Sequence, residues 1–272
     1  MDARHKAGHD VGCGNVTLQT ILMLFGTGIV GGIMAAMVGG ASVITFPVLL
    51  AAGLPPVVAT ASNLVAVSPG NFLAAMSDRA QLPPFNRAFV GLVLASVLGA
   101  LIGAVLLLAT PARLFEVLIP LLLGFSTVLF AFAKPITESL RARAQTRGGR
   151  EPRMSVTSIP MLLPVSVYGG YFGAGVGVLL LGVMSIATGG DYRAANVAKN
   201  LVSSLNTFVA AFYFIAQGAV SWPPTLVMMA GCLIGGYFGG RFARVVPQEI
   251  MRVVVVVIGA ALTAVFAWRY WF

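Results

Sequence analysis

Asn196, Lys199, Asn200 and Ser203 recur at i, i+3, i+4 and i+7, the spacing that aligns side chains along one face of a helix. Thr207 continues the row one turn further, and Asn206 lies close beside it. An ammonium flanked by amides and hydroxyls supplies positive charge and hydrogen-bond donors, which is the chemistry that holds an oxyanion. A comparable stretch earlier in the chain carries Thr60 and Asn63, then Ser68, Pro69, Gly70 and Asn71. Pro69 removes one helical hydrogen bond and Gly70 weakens the next turn, so carbonyls there are expected either to be free for a ligand or to be resealed by Ser68, Asn71 or a neighbouring helix. Glycines interrupt the apolar runs at Gly39 and Gly40 and again at Gly173, Gly175 and Gly177. Helix N-termini opening at such breaks, near Gly40 and Gly177, would present amides that attract anions without any cationic side chain. Asp191 is the only acid within reach of the polar row, where it can serve as a coupling carboxylate, as a helix cap or as a partner for Arg193.

These groups must be positioned by elements built for lipid. The chain has 272 residues, 58% of them hydrophobic and only 9% charged, with a mean hydropathy of +0.93. An ordinary soluble domain carries about 25% charged residues, so a water-soluble fold is excluded. Long unbroken apolar runs, rather than alternating ones, select an all-helical polytopic membrane bundle over a β-barrel. The runs fall at roughly 17–38, 41–53, 56–76, 88–108 and 112–132, then at 157–175, 177–189, 192–217, 224–243 and 249–270. Those at 41–53 and 177–189 are shorter than the roughly 20 residues a full crossing needs, and fit broken or re-entrant helices.

The basic, glycine-interrupted segment 133–156 divides the chain into a first membrane repeat at 17–132 and a second at 157–272, preceded by a tail at 1–16. An offset of 137 pairs Gly32 with Gly169, Gly40 with Gly177, Gly53 with Gly190 and Asn63 with Asn200; an offset of 136 pairs Gly99 with Gly235 and Gly103 with Gly239. This ordered series points to a duplication. Loop charge reverses between the halves: 77–87 carries Arg79 and Arg87 while its counterpart 218–223 is uncharged, and 190–199 carries Arg193 and Lys199 while 54–62 is uncharged. Because basic loops stay cytoplasmic, the reversal predicts two five-helix repeats of opposite topology, with 133–156 in the cytoplasm and both termini outside. Arg4 and Lys6 ahead of an apolar run imitate a signal peptide, but the equivalence of that run to 157–177 predicts a retained helix.

Seventeen Lys and Arg against eight Asp and Glu give a net charge of +9. These charges sit mainly in loops, without interleaved aromatics, and so read as topology determinants with no nucleic-acid partner. Cys13 and Cys232 suggest neither a disulfide framework nor a zinc site, and no metal or other cofactor is expected. His5, His9, Asp10 and Cys13 have helix-compatible metal spacing, but they belong to the tail. No nucleophile and base pair or phosphate loop is present, so the chain does not read as an enzyme. Gly235, Gly236, Gly239 and Gly240 form two close-approach motifs for helix packing. Lys199 lies about 10 Å along its helix; it is functional if it reaches the bilayer centre and an anchor if its stem snorkels to the surface.

The runs GIVGGIMAAMVGGASVITFPVLLAAGLPPVVATASN and YGGYFGAGVGVLLLGVMSIATGGDYRAANVAKNLVSSLNTFVAAFYFIAQGAVSWPP, followed by GCLIGGYFGGRFA, resemble the sulfite exporter TauE/SafE family of membrane permeases. The likeness extends from about residue 20 to 270, with Ala35 and Ala36 standing where glycines often occur. The resemblance implies export or uptake of small sulfur-containing anions such as sulfite or organosulfonates, in a multi-pass protein of a bacterial inner membrane. Asn196, Lys199 and Asn200, with Thr60 and Asn63 in the first half, are the positions it carries over. The combined expectation is an alternating-access exporter of a small anion held by Asn63, Asn200, Lys199 and the amides at the glycine breaks. A proton-coupled importer using Asp191 and a non-transporting scaffold subunit acting through 133–156 are the alternatives, and a homodimer is compatible with all three.

Overall fold

A computed structural model places residues 17–37, 39–76, 87–136, 138–139, 159–188, 191–242 and 248–271. The tail at 1–16, most of the basic segment, and the loop at 77–86 lie outside the described residues. Ten longer helices account for nearly all that is described: α1 Leu18–Met37, α2 Ala41–Ala51, α3 Pro56–Met76, α4 Arg87–Ala109, α5 Ala112–Ala131, α6 Ile159–Tyr171, α7 Val176–Ala187, α8 Tyr192–Ala216, α9 Trp222–Phe242 and α10 Gln248–Trp271. Their bounds follow the apolar runs because hydrocarbon leaves a chain no other way to satisfy its amides. Segments of α1, α4, α5 and α10 are long and apolar enough to cross a membrane. At 11 and 12 residues, α2 and α7 reach only about 16–18 Å, little more than half the hydrocarbon core.

Polarity is distributed for a lipid solvent. Leu98, Leu101 and Ile102 on α4 and Val253, Val257 and Val265 on α10 are exposed, whereas Thr45, Thr60, Ser62, Asn63, Lys199 and Asn206 are buried. Helices α1 and α9 approach through glycine: a methyl group at Gly235 or Gly231 would collide with the α1 backbone at Ile29 or Phe25, and one at Gly236 would meet the backbone of Gly70 on α3. The packing expected of Gly235, Gly236 and Gly239 is therefore present; the side-chain surroundings of position 240 are outside the described residues.

Helix pairing repeats between the halves. As α1 packs on α9, α6 packs on α4; as α3 packs on α9, α8 packs on α4; as α2 packs on α3, α7 packs on α8. Helix α3 also packs on α8, and α5 on α10. Gly28, Gly32 and Gly239 match α1 to α9 in parallel, while two contacts run α5 and α10 antiparallel: Trp271 Nε1 donates to the Val117 carbonyl at 3.1 Å, and Lys134 pairs with Glu249 at 2.7 Å.

Candidate functional site

The two glycine breaks meet. Gly39 (φ 82°) and Gly175 (φ 76°) occupy the left-handed region that glycine tolerates, turning the chain into α2 and α7. Neither helix has a side-chain cap at its N-cap residue, Gly40 or Gly175, so the first-turn amides have no side-chain acceptor there. A methyl group at Gly177 would lie 2.5 Å from the Gly39 Cα, and one at Gly40 would enter the Phe130 ring. Two helix N-termini, each the positive end of a helix dipole, thus come together where the halves join. The second break is pinned from α5 and α6: Tyr168 Oη donates to the Ala174 carbonyl at 2.7 Å and lies 2.8 Å from Ser126 Oγ. Phe172 is buried there against Phe46, with ring centroids 5.2 Å apart.

Asn63, fully buried on α3, accepts from Thr45 Oγ1 of α2 at 2.5 Å, and its Nδ2 has no partner. Thr60 turns inward on its own helix, donating to the Pro56 carbonyl at 3.0 Å. On α8, Lys199 is 1% exposed and its Nζ has no hydrogen-bond partner. Asn200 is buried beside it, half-buried Asn196 has an unpartnered Oδ1, and Ser203 accepts from Asn71 Nδ2 across the α3/α8 contact at 3.5 Å. The polar row therefore faces protein, as its period predicted, and Lys199 does not snorkel to an exposed position.

Register separates residues that the sequence reading grouped together. Ser62 Oγ accepts from the Ser221 amide at 3.1 Å, just beyond the C-terminal end of α8, while Asn71 meets Ser203 nearer its start, so α3 and α8 run antiparallel. Asn63 lies eight residues before Asn71, and Lys199 four before Ser203, in opposite directions. At about 1.5 Å per residue these levels are some 18 Å apart along the helices. Asn63 with Thr45 forms one polar level, and Asn196, Lys199 and Asn200 form another; the row does not converge on one point.

Local bonding bears on two further positions. Pro69 leaves the Val65 carbonyl without its helical donor, and Ser68 Oγ supplies one at 3.0 Å, so α3 is resealed rather than open. Asp191 is exposed and caps α8, accepting from the Arg193 and Ala194 amides at 2.9 and 3.2 Å. Sequence reading missed Thr45, whose role depends on a helix 18 positions away, and missed Ser166 and Ser204, buried hydroxyls that together with Asn206 Oδ1 have no partner. Among the described residues, no cluster of His, Cys, Asp or Glu could hold a metal ion; the histidines of the tail are not among them.

A family model for the sulfite exporter TauE/SafE family matches residues 24–266, and the chain belongs to that family. It is 25% identical over 255 residues to a Haemophilus influenzae protein named a probable membrane transporter protein, covering 92% of this chain and 95% of that one. A Sinorhizobium protein named probable membrane transporter protein ORF9 is 26% identical, with 91% and 92% covered, and the Escherichia coli K12 probable membrane transporter protein YfcA is 23% identical, with 89% and 87% covered. No solved structure matches the chain. The chain is thus a multi-pass membrane protein of a transporter family.

Proposed function

We propose that this protein carries small sulfur-containing or organic anions, such as sulfite or organosulfonates, across a bacterial inner membrane by alternating access, and that it works as an exporter. The observation carrying this reading is Lys199: a lysine amine almost wholly buried in a lipid-embedded bundle, without a hydrogen-bond partner and in a row of amides and hydroxyls. An ionisable group is expensive inside a membrane and, in this reading, marks a substrate path. Asn63 Nδ2 on the second level and the uncapped N-termini of α2 and α7 supply further donors for an oxyanion. In this reading the anion passes between the two levels, with Asn196, Lys199 and Asn200 on the cytoplasmic side, because the basic loops adjoin them, and Asn63 on the outer side.

The moving parts are two five-helix repeats of inverted topology. Antiparallel packing of the counterparts α5 and α10, and the interchange of helix pairs between halves, support a pseudo-two-fold axis lying across the helices. The contact of Gly39 with Gly177 would then sit on that axis, where rocking of one half against the other moves the backbone least. Binding of an anion at one level can bias which side opens, since only differential contacts shift such an equilibrium.

Reconstitution into liposomes, with a panel of sulfite, organosulfonates and carboxylates, tests the proposal. Concentration-driven uptake of at least one sulfur oxyanion is expected, with Lys199→Ala and Asn200→Ala each reducing it strongly. Unchanged flux in both variants would remove the assigned site, and no anion flux in the wild-type protein would remove the function.

A further inference from the structure

Resting on the transport reading above, we propose that Lys199 is the coupling group of this carrier: its amine takes up one proton together with each anion and gives up both on the other side. The argument begins with charge compensation. Lys199 is 1% exposed and its Nζ has no hydrogen-bond partner. The helices packed against α8 are α3, α4, α6 and α7. Neither α3 nor α7 contains a charged or titratable side chain. Helix α6 contributes Tyr168, engaged with Ser126 and the Ala174 carbonyl, and Tyr171, whose hydroxyl lies 3.3 Å from that of Thr110. Helix α4 has one charged residue, Arg87, at its first position, and it is a cation. On α8 itself are Arg193 and Tyr213, with Tyr192 at its first position. Asp191, eight residues before Lys199, is exposed and occupied as the helix cap. Among the described residues, none of these elements therefore brings a carboxylate to the amine.

With no carboxylate among the described residues, a lone charge in such a place is uncompensated, and two arrangements relieve it. The site can hold an anion against the ammonium, or the amine can lack its proton. Binding then reads as neutral amine plus proton plus anion giving an ammonium–anion pair, and release runs in reverse. Proton and monovalent anion move in equal number, so a full cycle moves no net charge. Such a carrier needs no membrane carboxylate, and its direction follows the anion and pH gradients rather than the voltage. An anion accumulating in the cytoplasm leaves with a proton. A strongly acid exterior would bring it in. This assignment takes the coupling role from Asp191 and gives it to a residue in the polar row.

The test uses proteoliposomes with a trapped pH dye and isethionate as the probe, a sulfonate that remains ionised throughout the neutral range. Inward isethionate gradients should acidify the lumen with one proton per anion. An imposed potential of 100 mV should leave the final distribution unchanged, whereas an uncoupled carrier would shift it roughly fifty-fold. Apparent KM should rise about tenfold per pH unit once the medium is alkaline enough to deprotonate the free amine. Lys199→Arg fixes the charge, because a guanidinium does not release its proton; any flux that remains should be voltage-sensitive and free of proton movement. Isethionate flux in the wild-type protein that generates a potential without acidification would overturn the coupling while leaving transport intact. Flux requiring a trapped counter-anion would overturn it as well, in favour of obligatory exchange. Continued acidification by Lys199→Arg would also overturn it, and no isethionate movement at all would remove the transport reading beneath it.

Discussion

Replacing Gly177 by alanine tests the junction between the two broken helices. The added methyl would lie 2.5 Å from the Cα of Gly39, 2.6 Å from its oxygen and 2.9 Å from its carbonyl carbon. Ordinary contact begins near 3.4 Å, so the two backbones must part by about 0.9 Å. The obstacle is main chain on both sides, so no side-chain rotation can relieve it. Overpacking of this kind costs about 1–3 kcal/mol, which in a chain of this size lowers the melting temperature by roughly 2–12 °C. Gly26→Ala is the matched control: it lies within α1, meets nothing within 4 Å, and should be neutral or slightly stabilising because alanine is the better helix former. Both variants would be compared by thermal unfolding in detergent and by anion uptake into liposomes. Gly177→Ala should lose stability and flux while Gly26→Ala keeps both. Equal stability and equal flux in the two would refute the close contact of α2 and α7 and the reasoning built on it.

Ser68→Ala removes the donor that reseals the Val65 carbonyl and should cost about 1–3 kcal/mol in thermal unfolding, with the KM for any transported anion unchanged. Thr45→Val frees the Asn63 side chain and should raise the KM for sulfite about two- to tenfold; combined with Asn63→Ala it should add little, as a double-mutant cycle of uptake rates would register. Asp191→Asn keeps a good helix cap and should leave transport at its wild-type rate, whereas Asp191→Ala should lower stability by about 1 kcal/mol; a transport loss in both variants, with Asp191→Asn of wild-type stability, would restore that residue as the coupling acid. Lys134 is exposed, and its hydrogen bond from Nζ to Glu249 raises its pKa above the usual 10.5. The pairing is present at pH 7, lost as pH rises through that higher value and lost as pH falls through the lowered carboxyl value of Glu249; because both groups are exposed and screened by solvent, Glu249→Gln should nevertheless leave the melting temperature at pH 7 unchanged within error.

What the sequence disclosed, and what it withheld, divides along the range of the forces involved. Helix limits were legible because lipid imposes them locally: the run at 56–76 became Pro56–Met76, and 192–217 became Tyr192–Ala216. The inward face of α8 was legible for the same reason, since a polar row at helical spacing in an apolar chain has to find protein. Partnerships were not, because each joins distant segments: Thr45 with Asn63, Ser62 with Ser221, and Asn71 with Ser203, 132 positions apart. Equivalence under the repeat invited the inference that Asn63 and Asn200 share a pocket. Antiparallel packing of α3 on α8 has the opposite effect, since it brings equivalent residues together only near the crossing and drives them apart with distance from it. Gly39 and Gly177, almost aligned by the expected repeat, touch; Asn63 and Asn200, which the same offset aligns, lie on either side of the crossing. Under the proposed function, such an arrangement needs no single site able to grip the anion from both sides. That proposal asks for two dissimilar levels joined through the backbone contact of Gly39 and Gly177, and the asymmetry between Lys199 on one level and Ser62, which the expected repeat aligns with it, on the other would give the two faces different chemistry for the same ion.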